Sequence, residues 1–280
     1  MLAFSLPAAA SRLVIDDTGR TVRLPDQVHR IVCLAPSIAD TVYAMGGGPD
    51  VAAVTDYTQY PPEARQKPSI GEVLRPSLER IAVLHPDLAI GIATFNDAES
   101  LRGIERMGVP VFLVNPSGLA GLYRSIASIG RALGRPGDAA ALLARLQARE
   151  HAVRAQAAAA PRTSVFLAIS IDPCITAGRG AFITELLAAA GADSVTADLP
   201  EEWIDLNIEA VIPRKPTFIL ELSDAPFGLK EMRERPGWRS LDAVRAGRVL
   251  RIDDRLQYPS PVAFDALEKF AHQLRSAESR

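Results

Sequence analysis

The sequence predicts an α/β protein built as two lobes with mainly parallel sheets, joined by one long helix. Three observations carry this reading. Short apolar runs of strand length alternate with helical stretches in both halves, the middle of the chain turns wholly helical, and the second half repeats the first in outline. With 280 residues the chain is long enough for two modest lobes, each burying its own core. The expected spans are a leader remnant at 1–10, a first lobe at 11–117, a helical segment at 118–160 and a second lobe at 161–280.

Leu13 to Leu24 (LVIDDTGRTVRL) alternates around an Asp-Asp-Thr-Gly turn and predicts a β-hairpin. Arg30 to Leu34 follows as a buried strand. Ser37 is placed to cap a helix through Met45, closed by Gly46-Gly47-Gly48. Val51 to Val54 is a strand, Tyr57 to Pro62 a Pro-rich loop, Ser77 to Leu84 a helix and Leu88 to Ile92 a strand. A helix over Ile104 to Met107 and a strand over Val109 to Val114 complete the first half.

Gly118 to Leu133 and Pro136 to Ala159 read as helices broken at Gly134-Arg135-Pro136. The second has 24 residues, a rod of about 36 Å. Ser164 to Ile171 is then a strand, Phe182 to Ala190 a helix closed by Gly191, Asn207 to Ile212 a helix and Phe218 to Leu222 a strand. A last strand at Val249 to Ile252 and a helix at Ser260 to Leu274 finish the chain.

The repeat is most legible in LERIAVLHPDLAI from Leu78 and IEAVIPRKPTFIL from Ile208. Each has a glutamate, an apolar turn, a proline seven positions beyond the glutamate and a buried strand. The pattern puts Glu79 and Glu209 at equivalent helix starts. A carboxylate there suits the helix dipole, so a stabilising role and a docking role both stand open.

Several functions are disfavoured. The formal net charge is -2, with 48% apolar and 23% charged residues and no basic cluster, so nucleic acid is not an expected partner. Outside the N-terminus no apolar run is long enough for a membrane helix. His29, His85, His151 and His272 are scattered without metal-ligand spacing, and Gly178-Arg179-Gly180 is not a nucleotide loop. No catalytic residue, metal or resident cofactor is expected. Cys33 and Cys174 each adjoin a strand-like run and read as buried thiols. Met1 to Ala10 (MLAFSLPAAA) resembles the tail of a secretory signal with an A-x-A site, which predicts export. No cysteine follows it, so free diffusion is expected rather than a lipid anchor.

Ligands of open α/β sheets sit at the C-terminal ends of strands. The residues there are Tyr57 and Tyr60 in DYTQYPP, Trp203 in LPEEWIDL, and Asp254 and Tyr258 after the last strand. An exposed loop tryptophan asks for a cover. A tyrosine from one lobe and a tryptophan from the other suit a large, flat, partly apolar ligand, although each also has the plainer reading of a packing plug.

In their order and spacing LVIDDTGRTVRLP, HRIVCLAPSIADTVYAMGG, YPPEA, LERIAVLHPDLAI, MGVPVFLV, TAGRGAFITELLAAAGA and YPSPVAFDALEKF resemble one family. It is the cobalamin- and siderophore-binding periplasmic proteins of ABC importers. The resemblance implies two Rossmann-like lobes joined by a rigid helix, the class III periplasmic binding protein fold, with small domain closure. It also implies a periplasmic protein, monomeric when free, that catalyses nothing and hands its cargo to a permease dimer at the inner membrane.

YTQYPPEA, WIDLNIEAVI and D-x-x-x-Y-P-S-P are most similar to the cobalamin-binding members. By that resemblance Tyr57, Trp203 and Asp254 touch the ligand, while Glu79 and Glu209 pair with arginines of the two permease subunits. Three features depart from the pattern: a tryptophan expected near Val73 is missing, a phenylalanine expected near Ile175 is absent, and Tyr258 stands where an arginine is expected. Ile175 and Tyr258 stay in the expected ligand set. Cobalamin or a related corrinoid is the first expectation for the cargo, with haem and a ferric siderophore as alternatives. A corrinoid chaperone or sensor is a further alternative. A metal-cluster scaffold on similar halves would need ligands beyond Cys33 and Cys174.

Overall fold

In the computed structural model, residues 11–278 are described, and the leader expected at residues 1–10 lies outside them. The chain divides into two compact units. One runs through Pro116 and takes in Ala120–Ala144; the other comprises Ser117–Leu119 and the chain from Arg145 onward.

In the first unit β1 (Ser11–Ile15) and β2 (Thr21–Pro25) form the antiparallel hairpin, with Ile15 opposite Thr21. Its turn is organised by Asp16, whose carboxylate accepts from the Thr18 and Arg20 backbone N–H groups at 3.0 Å. Burial opposes ionisation of Asp16, but the hydrogen bonds from Thr18 and Arg20 win and hold its carboxyl below the ordinary range.

After the hairpin come β3 (Ile31–Cys33), α1 (Pro36–Ala44), β4 (Val51–Ala53), α2 (Leu78–Leu84), β5 (Leu88–Ile92), α3 (Ala98–Arg106) and β6 (Val111–Val114). The four strands after the hairpin make an all-parallel sheet in the order β4-β3-β5-β6. Such a sheet is covered on both faces, which is why IVC and VFLV are unbroken apolar runs and are fully buried. Ser37 is not the cap of α1. Pro36 takes the first helical position, where its missing N–H is no loss, and Ala35 becomes the cap residue.

α4 (Gly118–Ala132) and α5 (Pro136–Ala157) follow, and the division between units falls inside α5, after Ala144. α5 has 22 residues, or about 33 Å of helix. Gly130 of α4 has no room for a side chain: a Cβ there would lie 2.3 Å from the Ala139 Cβ on α5.

The second unit contains β7 (Thr163–Ala168), β8 (Ser170–Ile171), β9 (Cys174–Ala177), α6 (Phe182–Ala189), β10 (Ala192–Ser194) and β11 (Trp203–Asp205). β12 (Phe218–Leu222) comes next, then three short helices, α7 (Leu229–Glu234), α8 (Pro236–Arg239) and α9 (Asp242–Arg245), then β13 (Val249–Ile252) and α10 (Ala263–Glu278). A parallel sheet runs β10-β7-β12-β13, and an antiparallel ribbon runs β11-β9-β8. The expected single strand Ser164 to Ile171 is therefore two. At Ile169 the chain leaves the parallel sheet, and the turn at Asp172-Pro173 folds β8 back on β9. Trp238 closes the core beside Phe166 at 5.9 Å between ring centres, its indole N–H donating to the Ile171 carbonyl at 3.3 Å.

The expected helix Asn207 to Ile212 is also corrected. Two short 3-10 turns stand there, Ile208–Ala210 and Ile212–Arg214. Pro213 has no N–H to donate to the Glu209 carbonyl, so the i→i−4 bond that would close an α-turn onto Glu209 is missing. The repeat nonetheless survives in the backbone. Ser77 and Asn207 cap the two segments through side-chain oxygens, which accept from Arg80 N–H at 3.3 Å and Glu209 N–H at 3.0 Å. Each segment ends on a left-handed residue, His85 (φ 43°) or Lys215 (φ 46°), just before Pro86 or Pro216. α10 begins at Ala263 rather than Ser260 and continues past Leu274 to Glu278.

Candidate functional site

Each unit offers the C-terminal edge of a parallel sheet, the place where open α/β sheets bind ligands. In the first unit Tyr57 sits at the tip of a tight turn after β4. The Thr58 N–H donates to the Thr55 carbonyl at 3.1 Å, and the two buried threonine hydroxyls bond each other at 3.2 Å. With both threonines turned inward, Asp56 and Tyr57 are left outward, and Tyr57 is 61% exposed. The turn is moored to the neighbouring loop: Asp56 N–H donates to Gly71 O at 2.9 Å, and the Ser69 hydroxyl donates to the Asp56 carboxylate.

Asn96 holds this edge together. Its side chain is buried just beyond β5. The amide oxygen accepts from Ile92 N–H at 2.7 Å, and the amide nitrogen donates to Leu34 O at 3.1 Å and Val73 O at 2.7 Å. One residue thus ties the segments following β3, β4 and β5. Val73, near which the family resemblance calls for a tryptophan, is buried at 8% exposure. Its neighbour Leu74 is 52% exposed and Phe95, beside Asn96, is 59% exposed. Neither Phe95 nor Asn96 was singled out from sequence. The available signal for Phe95 was an aromatic in the loop just beyond a completed strand; residue type carries no such signal for Asn96.

In the second unit Trp203 opens β11, opposite Ala177 of β9, and Ile175 of β9 lies opposite Asp205. Trp203 is 43% exposed and Ile175 is half-buried. The Gly178-Arg179-Gly180 stretch seats the loop that leads into Trp203. Gly178 N–H donates to Glu202 O at 3.0 Å and Arg179 N–H to Leu199 O at 2.8 Å. A Cβ on Gly178 would stand 2.3 Å from the Glu201 carbonyl oxygen, so only glycine permits this approach.

Asp254 opens a 3-10 turn, Asp254–Gln257, beyond β13, and Tyr258 follows it as the closing residue. Asp254 is joined to Ser223, which follows β12, so two adjacent strand ends share a polar link. Next to it Asp253 is held below the ordinary carboxyl range, chiefly by the side-chain bond from Arg255 at 2.7 Å, with burial opposing. Tyr258 is 40% exposed.

Glu79 lies exposed in the first turn of α2, and Glu209 lies exposed in the middle of its 3-10 turn. The two are equivalent in the repeat but not in helix type. Both cysteines are buried free thiols, as expected, and burial pushes each thiol up to about 12, Asp205 adding to the effect at Cys174. All four histidines are exposed. Among the described residues no His, Cys, Asp or Glu group could hold a metal ion, and no helix is long and apolar enough to cross a membrane.

Known proteins agree with this arrangement. A family model described as periplasmic binding protein matches residues 31–256. An ABC transporter substrate-binding lipoprotein of Bacillus subtilis is 27% identical over 271 residues, covering 94% of this chain and 85% of that protein. A vitamin B12-binding protein of Yersinia pestis is 26% identical over 218 residues, 78% of this chain and 76% of that one. The apo structure of a periplasmic haem-binding protein from Roseiflexus superposes with a TM-score of 0.80 at 29% identity, covering 89% of this chain and 99% of the other. With the sheet edges, the repeat and a match over most of its length, the chain belongs to the periplasmic binding protein family: an extracytoplasmic substrate-binding protein of the ABC-transporter type, not an enzyme.

Proposed function

We propose that the protein captures a bulky metal chelate in the periplasm, cobalamin or a related corrinoid first, and delivers it to an ABC permease dimer. The observation that carries this reading is that each unit exposes aromatic rings, Tyr57 in the first and Trp203 and Tyr258 in the second, where Ser223 also holds Asp254 as a fixed carboxylate. Broad apolar ring faces gain most from stacking against a flat macrocycle, and a single carboxylate suits an amide-bearing rim. Ile175 adds an aliphatic contact where a phenyl ring would have given more area. The vitamin B12-binding relative supports the corrinoid.

Haem is the second reading. It is favoured by the 29% identity to the Roseiflexus protein and by Tyr57 and Tyr258, since a phenolate can ligate haem iron. Glu79 and Glu209 are proposed to dock the permease, one on each unit, through charge-complementary contacts.

The test is a titration of purified protein with cyanocobalamin, cobinamide, haemin and a ferric siderophore, followed by tryptophan fluorescence. Saturable quenching by a corrinoid, weakened in Trp203→Ala, supports the first reading. Saturation by haemin alone moves the assignment to haem, and silence with all four defeats the chelate pocket.

A further inference from the structure

We infer that Phe95 and Leu74 form an apolar contact patch that selects flat macrocyclic cargo of low net charge. The inference rests on the chelate-binding reading above and adds a specificity element to it. Phe95 and Leu74 are 59% and 52% exposed on two loops of one sheet edge, the edge that also carries Tyr57. Single exposed apolar side chains are ordinary, but these are not independent. The Asp97 N–H donates to Leu74 O at 3.2 Å, and the Asn96 side-chain amide donates to Val73 O at 2.7 Å, so the two loops are bonded to each other right beside the exposed pair.

The frame beneath them is rigid in the sense that matters for binding. Asn96 is 7% exposed, and its bonds to Ile92, Leu34 and Val73 leave its amide oxygen and nitrogen both engaged. A pre-set surface binds without the ordering cost of a loose loop. Val73 is itself buried, so the exposed apolar surface here comes from its neighbour Leu74 and from Phe95. The charges beside the patch, Asp56, Arg75 and Asp97, are of mixed sign. They suit a nearly neutral ring system better than a trianionic ferric catecholate, which would call for clustered cations.

Four variants, Phe95→Ala, Leu74→Ala, Phe95→Trp and, as a control, Val83→Ala, are titrated with cyanocobalamin, haemin and a ferric catecholate. Val83 is 78% exposed on α2 and outside the patch. For the macrocycle that binds the wild type, Phe95→Ala is expected to weaken affinity about tenfold and Leu74→Ala about threefold, as loss of buried apolar area implies. Phe95→Trp keeps a broad face and stays within about threefold of the wild type, and Val83→Ala leaves affinity unchanged. All four keep the wild-type melting temperature, because the truncated side chains are exposed. Affinities of Phe95→Ala and Leu74→Ala both within twofold of a binding wild type overturn the patch, as does tighter wild-type binding of the ferric catecholate than of either macrocycle. A wild type that binds no chelate instead brings down the functional reading, and the patch with it.

Discussion

The Ser223 hydroxyl donates to the Asp254 carboxylate at 2.6 Å and in turn accepts the Asp254 backbone N–H at 3.1 Å. This reciprocal pair clamps the ends of two neighbouring parallel strands and fixes where one carboxylate oxygen is presented. Ser223→Ala is therefore expected to weaken chelate binding about threefold, and Asp254→Ala by more, with little change in thermal stability, since both groups are at the surface. Isothermal titration of the two variants checks the order; a serine variant more damaging than the aspartate variant contradicts it.

Docking and binding are predicted to separate. Glu79→Ala combined with Glu209→Ala leaves chelate affinity at the wild-type value, because both carboxylates are exposed and neither is among the residues proposed to touch the ligand. Uptake through the cognate permease in whole cells falls at least tenfold. Unimpaired uptake by the double variant removes the docking role.

The thiols are predicted to be inert in the native protein. With Cys33 and Cys174 buried and their thiols pushed up to about 12, almost no thiolate exists at pH 8. A chromogenic disulfide reagent at that pH is expected to titrate no thiol in native protein and two in guanidinium chloride. Rapid native labelling of either cysteine contradicts the burial shown here.

Acid sensitivity follows from Asp253 and Asp16. Asp253 is held low first by its bond from Arg255; for Asp16 burial opposes, and the bonds from Thr18 and Arg20 outweigh it. A carboxyl lowered on folding stabilises the fold at pH above its unfolded value, about 3.9, and that contribution fades as pH falls through the lower folded value. Melting temperature is expected to be flat from about pH 5 to 7 and to drop below about pH 4. Asp253→Asn makes the acid slope shallower; an unchanged slope in that variant rules Asp253 out as a source.

Asn96→Ala is expected to destabilise the protein by about 2–3 kcal/mol, since it strands Ile92 N–H and the Leu34 and Val73 carbonyls in a buried setting. Chemical denaturation measures it. Asn96→Asp keeps the acceptor for Ile92 but loses both donors, and is expected to be no more stable than the alanine variant.

Much of this architecture was legible from residue patterns. The continuous apolar run LAIGI just after Pro86-Asp87 marks β5 to the residue, and Ser77 and Pro86 bound α2. The misses have physical causes. Ser164 to Ile171 reads as one strand because apolar character alone does not reveal that Ile169 leaves one sheet and Ser170 enters another. The segment after Asn207 has helical periodicity, but Pro213 breaks the hydrogen-bond ladder. Residue type points to Tyr57 and Trp203, which the structure leaves exposed. Asn96 could not be found that way, because an asparagine in a polar loop announces nothing about the three backbones it will bond.

The division of labour around Asn96 has an evolutionary corollary. Since a single interior amide sets the course of three loops, the tips of those loops are free to vary without redrawing the backbone. Exchanging outward side chains such as Phe95 and Leu74 leaves all three hydrogen bonds of Asn96 in place, so the face these loops present can change while the scaffold stays put.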